Sequence, residues 1–119
     1  MKIAVIGAGH AGVEAAVAAA AGGAVVDLFS NEAVPPYFRP RLIAVACGQA
    51  ERGAIGMHPE EWYGQKGVRL HLETPVVVFD PDSRRVVCKA TDDAYDAVVL
   101  ACGSLPILPR IEGLADGMP

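Results

Sequence analysis

The spacing of apolar and polar residues divides the first part of the chain into three elements. Residues 2–6 form a short, β-branched apolar run, which predicts a buried parallel strand. Residues 10–21 are dominated by Ala, Val and Glu without proline, which predicts a helix that Gly22-Gly23 terminates. Residues 24–29 predict a second strand. Together they predict a strand–helix–strand unit with a right-handed crossover.

The middle of the chain has a less regular pattern. Residues 30–40 contain three prolines and predict a loop, and residues 42–47 predict a short helix that Gly48 closes. A further helix is predicted to begin at residues 59–63, where a proline and two glutamates occupy the first turn.

The last part of the chain shows the pattern of a sheet. Residues 68–72 alternate as a strand does. Residues 76–79 and 85–90 flank an Asp-Pro-Asp-Ser turn, which predicts an antiparallel hairpin. Residues 97–101 predict another buried parallel strand. The tail, residues 103–119, is expected to be extended.

Composition limits the classes of function. A chain of 119 residues, of which 52% are hydrophobic, fits one domain with its own core. Charged residues make up 20% and the formal net charge is −4, so no nucleic-acid surface is expected. Cys47, Cys88 and Cys102 are too dispersed for a zinc knuckle or a local redox dithiol, and no metal site is expected. Dispersed thiols favour a reducing, cytoplasmic location.

The apolar N-terminus has two other interpretations, a secretory leader and a membrane span. His10 and Glu14 interrupt the apolar run, and the glycine spacing is more ordered than that of a leader. The same interruptions leave no apolar stretch of the roughly 18 residues that a span needs. We therefore expect neither a leader nor a membrane span.

The glycine-rich corner between the first strand and the first helix carries the main functional signal. Gly7, Gly9 and Gly12 have the G-x-G-x-x-G spacing in the strand-to-helix context that a dinucleotide-binding corner requires. Gly7 permits the tight turn, Gly9 lets a pyrophosphate approach the backbone, and Gly12 lets the helix lie against the sheet. The helix N-terminus offers free N–H groups to the phosphates. His10 is placed to meet a phosphate or a ring. The corner alone leaves NAD and FAD open.

The end of the second strand lacks the acid that usually holds a ribose. Ser30 stands there, followed by Asn31 and Glu32. Ser30 or Asn31 could bind the hydroxyls, or Glu32 could swing back, although a serine matches two hydroxyl donors less well than a carboxylate. Asp27 lies earlier in the strand and is expected to be solvated on an edge face.

Four stretches in order along the chain resemble the N-terminal part of the FAD-dependent pyridine nucleotide-disulfide oxidoreductase superfamily. They are VIGAGHAGVEAA, PPYFRPRL, EEWYGQKGVRLHLETPVVVFDPDSRRV and YDAVVLACGSLPILPRIEG. The last stretch carries the superfamily signature at Tyr95, Asp96, Ala101, Gly103, Ser104, Pro106, Pro109, Ile111 and Gly113. The resemblance is greatest to the branch with NADH oxidase and nitrite reductase-like flavoproteins, rubredoxin reductases and ferredoxin reductases.

The resemblance implies a fold, a cofactor and a set of binding residues. The fold is α/β: an incomplete, Rossmann-like three-layer FAD-binding domain with a parallel sheet and an antiparallel β hairpin or meander. The N-terminal fingerprint binds FAD in this superfamily, while a second fingerprint, missing here, binds NAD(P)H. The implied cofactor-binding residues are Gly7, Gly9, Ala11, Gly12, Ser30, Asn31, Arg39, Pro40, Arg41, Val76, Ala101, Cys102 and Gly103, with His10 added from its position in the corner.

Neither Cys102 nor His71 is expected to be catalytic. Cys102 stands where the superfamily has threonine, and we interpret it as a small filler, because no basic group adjoins it in sequence. His71 alternates with leucines and is expected on the sheet surface. No residue of the chain is predicted to be catalytic.

The resemblance also implies that residues 1–119 are the N-terminal part of a FAD-binding domain, without the NAD(P)H domain and the returning C-terminal part. The implied activity is that of an NAD(P)H-dependent flavoprotein oxidoreductase passing electrons through FAD to O₂, a small iron protein or another acceptor. The remainder of the enzyme is then a partner, and sheet left exposed favours self-association. The alternative is a non-catalytic nucleotide-binding or assembly module that another chain completes.

Overall fold

The computed structural model describes residues 1–105 and residue 107. Its central layer is a parallel sheet of four strands, which lie side by side in the order Val68–His71, Val25–Phe29, Lys2–Ile6 and Ala97–Leu100. The first strand and first helix have their predicted bounds, and the other parallel strands differ from prediction by one residue at one end. The elements are β1 (Lys2–Ile6), α1 (His10–Ala21), β2 (Val25–Phe29), β3 (Val68–His71) and β7 (Ala97–Leu100).

The remaining elements form two outer layers. Helices α2 (Leu42–Ala46) and α3 (Glu60–Gln65) agree with prediction, and two one-turn 3₁₀ helices, Arg39–Arg41 and Arg52–Ile55, were not predicted. The predicted hairpin is confirmed as antiparallel, but it is shorter and has a third strand. Its strands are β4 (Val78–Asp80), β5 (Arg85–Val87) and β6 (Asp92–Ala94). Two aspartates in β6 hid it from the apolar pattern.

Each face of the parallel sheet is covered by a different layer. On one face, α1 and α3 bury the core cluster Val5, Val13, Ala16, Val26, Leu28, Tyr63 and Val68. On the other face, the antiparallel sheet covers the cluster Ala4, Phe29, Val86 and Tyr95. Alternate residues of β1 and β2 therefore point to opposite layers, as the two-residue period of a strand requires. The predicted three-layer α/β class is confirmed.

Parts of the chain carry predictions that the structure leaves open. Most of the expected extended tail, and the signature positions Pro106, Pro109, Ile111 and Gly113, fall outside the described residues. Within residues 1–105 and 107, no helix has the length and apolarity needed to cross a membrane.

Asp27 corrects a prediction. The sequence predicts a solvated side chain on an edge face, but β2 is an interior strand and Asp27 is only 4% exposed. Its carboxylate accepts hydrogen bonds from Arg69 Nη2 at 2.8 Å, His71 Nε2 at 2.8 Å and the Tyr95 hydroxyl at 3.1 Å. These donors lie 42 to 68 residues away in sequence, so a local pattern could not reveal them.

The Asp27 cluster joins two layers of the fold. Arg69 and His71 belong to β3, whereas Tyr95 precedes β7 and packs with the antiparallel sheet. His71 also stacks on Phe29, with ring centroids 4.9 Å apart, so it lies on the sheet as predicted but is partly covered. Burial, and then the charge of Asp27, raise the pKa of the Tyr95 hydroxyl. The carboxylate is thus a connector between the sheets.

We expect Asp27→Ala to lower the free energy of unfolding by about 3 kcal/mol, because it leaves the buried Tyr95 hydroxyl and the half-buried His71 ring without their acceptor and breaks the ion pair with the exposed Arg69. Urea unfolding followed by circular dichroism measures this. The control is Asp92→Asn, which breaks the exposed Arg85–Asp92 ion pair and should change stability little. Equal unfolding midpoints for the two variants would contradict the connecting role.

We expect an alkaline loss of stability that depends on Tyr63. This side chain is 1% exposed, and its hydroxyl has no hydrogen-bond partner among the described residues. Burial raises its pKa to about 12. The folded state therefore favours the neutral form, and this contribution is complete below pH ~10 and is lost as the pH rises towards the folded pKa.

Tyr63→Phe tests this account of the alkaline transition. At pH 7 the variant should be as stable as the parent chain or about 1 kcal/mol more stable, because it removes an unpaired buried hydroxyl. Between pH 10 and 12 its stability should fall less steeply, and the remaining slope belongs to groups such as Tyr95. Thermal unfolding across this pH range measures both effects. A variant that is less stable at pH 7 with an unchanged alkaline slope would contradict the expectation.

Candidate functional site

The glycine corner lies at the carboxyl edge of the parallel sheet, between the ends of two neighbouring strands. Gly7 N donates to Phe29 O at 3.0 Å, which ties the corner to the end of β2. Ala101 N donates to Ile6 O at 2.8 Å, and the Cys102 thiol approaches the same carbonyl at 3.5 Å. The structure thus brings residues 101–102 against the corner, although they are more than ninety positions away in sequence.

Two of the three glycines leave no room for a side chain. Gly7 has φ +107°, and a Cβ there would lie 2.3 Å from the Ala101 carbonyl oxygen. A Cβ on Gly12 would lie 1.8 Å from the Gly7 carbonyl oxygen. Strand, turn and helix therefore meet backbone to backbone, as close helix–sheet packing requires.

Gly9 has the opposite environment. Apart from the local backbone and the two chain neighbours of Gly9, no described atom lies within 4 Å of the position that its Cβ would take. Gly9 is the N-cap of α1, and no described side chain caps this helix end or places an acid in its first turn. The first N–H groups of the helix are therefore available to an anion. An open space over the middle glycine fits the approach of a pyrophosphate.

The end of β2 narrows the choice among the three candidate ribose residues. Ser30 is 6% exposed, and its Oγ accepts a hydrogen bond from Glu32 N at 3.1 Å. Glu32 accepts from the Tyr37 hydroxyl at 2.7 Å and from Arg39 Nη2, so its carboxylate does not swing back. Asn31 is exposed. Asn31 is therefore the one of the three whose side chain has no hydrogen bond to the described residues.

The proline-rich loop runs beside the corner and is held by a second segment. Phe38 N donates to Ile55 O at 2.8 Å, and Met57 N donates to Pro36 O at 2.9 Å. The Phe38 ring lies beside the ring of His10, the first residue of α1, with centroids 5.9 Å apart. The loop that carries Arg39, Pro40 and Arg41 is thus fixed next to the helix N-terminus.

The two arginines of the loop differ in their contacts. Arg39 pairs with Glu32 while its side chain stays 58% exposed. Arg41 Nη1 donates to the Ala54 carbonyl oxygen at 3.3 Å, within the scaffold. The hydrogen bond to Glu32, and then burial, raise the pKa of the Tyr37 hydroxyl. The sequence analysis did not predict this polar network of Glu32, Tyr37 and Arg39. The only signal in the sequence is their Glu-x4-Tyr-x-Arg spacing.

Two further predicted positions have mixed outcomes. Val76 is half-buried and packs on the face under the antiparallel sheet, two residues after Thr74, whose N donates to Ser30 O at 2.7 Å. Cys102 is exposed, so the interpretation as a filler is wrong. It lies past the end of β7 and directly before Gly103, whose φ is +68°.

A separate cavity of about 970 Å³ lies beyond the loop. Its walls are mainly apolar and come from the proline-rich loop, α2 and residues 52–59; they include Leu42, Val45, Ile55 and Met57. Glu32 and Tyr37 also line it, but none of the cofactor-binding residues that the family resemblance implies does so. Within the described residues, no group of three or more His, Cys, Asp or Glu side chains could hold a metal ion.

Comparisons with known proteins agree with this geometry. The sequence profile of the family "Pyridine nucleotide-disulphide oxidoreductase" matches residues 1–118. Rhodocoxin reductase of Rhodococcus erythropolis is 34% identical over 117 residues, covering 95% of this chain and 27% of the relative. NADH oxidase of Streptococcus pneumoniae serotype 4 is 32% identical over 127 aligned positions, covering 95% and 26%. The crystal structure of NADH:rubredoxin oxidoreductase from Clostridium acetobutylicum superposes with a TM-score of 0.79 at 25% identity, covering 93% and 30%.

The chain spans roughly a quarter of the length of these curated relatives. The family match over residues 1–118 includes both the glycine corner and the strand β7 that meets it, so the matched part contains the candidate site.

We expect Gly12→Ala and Gly9→Ala to have opposite outcomes in the ligand-free chain. A Cβ on Gly12 must displace backbone, which we expect to cost about 3 kcal/mol or more. Gly9→Ala places its methyl group in open space at φ −76°, an ordinary value for alanine, and should cost no more than about 1 kcal/mol as a poorer cap. Thermal and urea unfolding of both variants measure the difference. Equal destabilisation would show that the corner is not packed as described.

Proposed function

The chain belongs to the pyridine nucleotide-disulphide oxidoreductase family, and from that premise we propose that it forms the FAD-binding portion of an NAD(P)H-dependent flavoprotein oxidoreductase. NADH oxidase and NADH:rubredoxin oxidoreductase, two of the relatives, are named for a nicotinamide cofactor, which supports the NAD(P)H part of the proposal. FAD is the cofactor that the family resemblance implies. We propose that residues 1–119 are the N-terminal part of the FAD-binding domain and that an NAD(P)H domain and a C-terminal part complete the enzyme.

The observation that carries the proposal is the contrast between the three glycines. Gly7 and Gly12 are closed by backbone contacts, whereas the space over Gly9 is open at an uncapped helix N-terminus. A purely structural turn would not need an open middle position. The pyrophosphate of a dinucleotide takes such a position, where backbone N–H groups and the helix dipole meet its charge.

The other predicted residues take their proposed roles around this corner. Gly7, Gly9, Ala11 and Gly12 would hold the pyrophosphate, with His10 and the loop residues Arg39, Pro40 and Arg41 beside it. Asn31 would hold the ribose hydroxyls, supported by the engagement of Ser30 and Glu32 elsewhere. Val76 would meet the adenine, and Ala101, Cys102 and Gly103 would line the flavin side.

FAD, when bound, would supply the redox chemistry by which electrons from NAD(P)H reach an acceptor. The residues of this chain bind and orient it. The helix N–H groups and Arg39 supply positive charge to the phosphates, and the rigid backbone contact between Gly7 and Ala101 fixes the two sides of the site relative to each other. The proposal therefore assigns binding and orientation of FAD to this chain, for which no catalytic side chain is predicted.

The names of the relatives suggest the class of acceptor. They include reductases of rubredoxin and rhodocoxin as well as NADH oxidases. We propose that the complete enzyme reduces a small iron protein or O₂. The three free cysteines support a reducing, cytoplasmic location. Self-association stays a prediction, supported by the exposed Leu100 on the edge strand β7.

Gly9→Val is expected to abolish FAD binding by the 119-residue chain while leaving the fold intact. The valine side chain would fill the open space that the pyrophosphate needs. A titration of flavin fluorescence against protein measures binding, and circular dichroism checks the fold. The control is Gly64→Val, an exposed glycine within α3 whose Cβ position is also open. Unchanged flavin binding by Gly9→Val would show that the corner is structural only.

A further inference from the structure

Three side chains at the start of the proline-rich loop form a polar network, which we call the Glu32 network: Glu32, Tyr37 and Arg39. The Glu32 carboxylate accepts from the Tyr37 hydroxyl at 2.7 Å through one oxygen and from Arg39 through the other. The Arg39 guanidinium also lies over the Tyr37 ring, 5.4 Å from its centroid. Each member therefore contacts both of the others.

Hydrogen bonds at both the N and the O atom of Glu32 anchor its backbone, and therefore the base of its side chain. Glu32 N donates to Ser30 Oγ at 3.1 Å. Glu32 O accepts a hydrogen bond from Glu73 N at 3.0 Å. Tyr37 is fixed as well, because it pairs with Gly56 in an isolated antiparallel bridge. The network is anchored to the end of β2 and to the segment that braces the loop.

Arg39 combines this anchorage with exposure. A guanidinium has five N–H donors, and the described contacts of Arg39 engage only Nη2. The side chain is 58% exposed. Arg39 directly follows Phe38, whose ring lies against His10 at the first turn of α1. The backbone of Arg39 is thus next to a residue that contacts the helix N-terminus, and the remaining guanidinium donors have no hydrogen bond to the described residues.

We propose that Glu32 is a positioning residue, which holds the Arg39 guanidinium beside the N-terminus of α1 so that Arg39 binds the pyrophosphate of the cofactor. The inference rests on the proposed FAD-binding function and adds to it. It assigns Glu32, which the sequence offered only as an alternative ribose contact, an indirect role in cofactor affinity.

The physical gain is preorganisation. A free arginine has many rotamers, and ordering it on binding costs about 0.5–1.5 kcal/mol of side-chain entropy. Glu32 and the Tyr37 ring restrict the guanidinium before the cofactor arrives. Simple electrostatics predicts the opposite effect for Glu32, because removing a negative charge near the site would favour an anionic ligand. The two accounts therefore predict opposite signs for the same substitution.

A double-mutant cycle on FAD affinity tests the proposal. Glu32→Gln keeps the shape of the side chain but removes its charge, and Arg39→Gln removes the guanidinium. We expect Glu32→Gln to weaken FAD binding about tenfold, and to change it less than about twofold when Arg39 is already Gln. Tyr37→Phe should weaken binding by a smaller factor that also disappears without Arg39. A role in folding alone would give independent effects.

The control is Asp92→Asn, which breaks another exposed carboxylate–arginine pair, on the antiparallel sheet. It should leave FAD affinity unchanged. Circular dichroism of each variant checks the fold. If the parent chain binds FAD and Glu32→Gln binds it equally or more tightly, the positioning role is overturned while the proposed function stands. If the parent chain binds no FAD, the proposed function is overturned and the positioning role falls with it.

Discussion

The candidate site depends on one constraint, the backbone contact among Gly7, Gly12 and Ala101. The Gly7 and Gly12 positions admit no Cβ, since it would lie 2.3 Å from Ala101 O and 1.8 Å from Gly7 O respectively. This contact joins the ends of β1 and β7 and the start of α1 at one edge of the sheet. It leaves the helix N–H groups facing an open space over Gly9. Close packing at Gly7 and Gly12 thus leaves the space over Gly9 accessible to a ligand at this edge of the sheet.

Two polar clusters then set the shape around this edge. Asp27, on the interior strand β2, binds Arg69 of β3 and Tyr95, which packs with the antiparallel sheet. These hydrogen bonds hold the antiparallel sheet against the parallel sheet. Glu32 fixes the proline-rich loop at the end of the same strand, β2. Buried and half-buried carboxylates with several donors are costly to leave unpaired, which explains why each acts as a rigid connection.

The sequence predicted the regular elements well and the polar contacts poorly. The apolar run of β1 and the alanine-rich stretch of α1 are local signals, and both elements have the predicted bounds. Strand β6 was missed because its aspartates lack the apolar pattern of a strand. Asp27 was assigned to solvent because its partners lie more than forty positions away. The resemblance to a family predicted residues 101–103 as cofactor-binding residues, which periodicity alone could not do, and the structure added their contact with the corner.

The most direct test of the central claim is an NMR titration of the 119-residue chain with FAD, following the backbone amide resonances. The account predicts shifts centred on Gly9 and the first turn of α1, with further shifts at Asn31 and Gly103. The distant strand β6 should be unaffected. Shifts confined to the apolar cavity, for example at Ile55 and Met57, with none at Gly9, would contradict it.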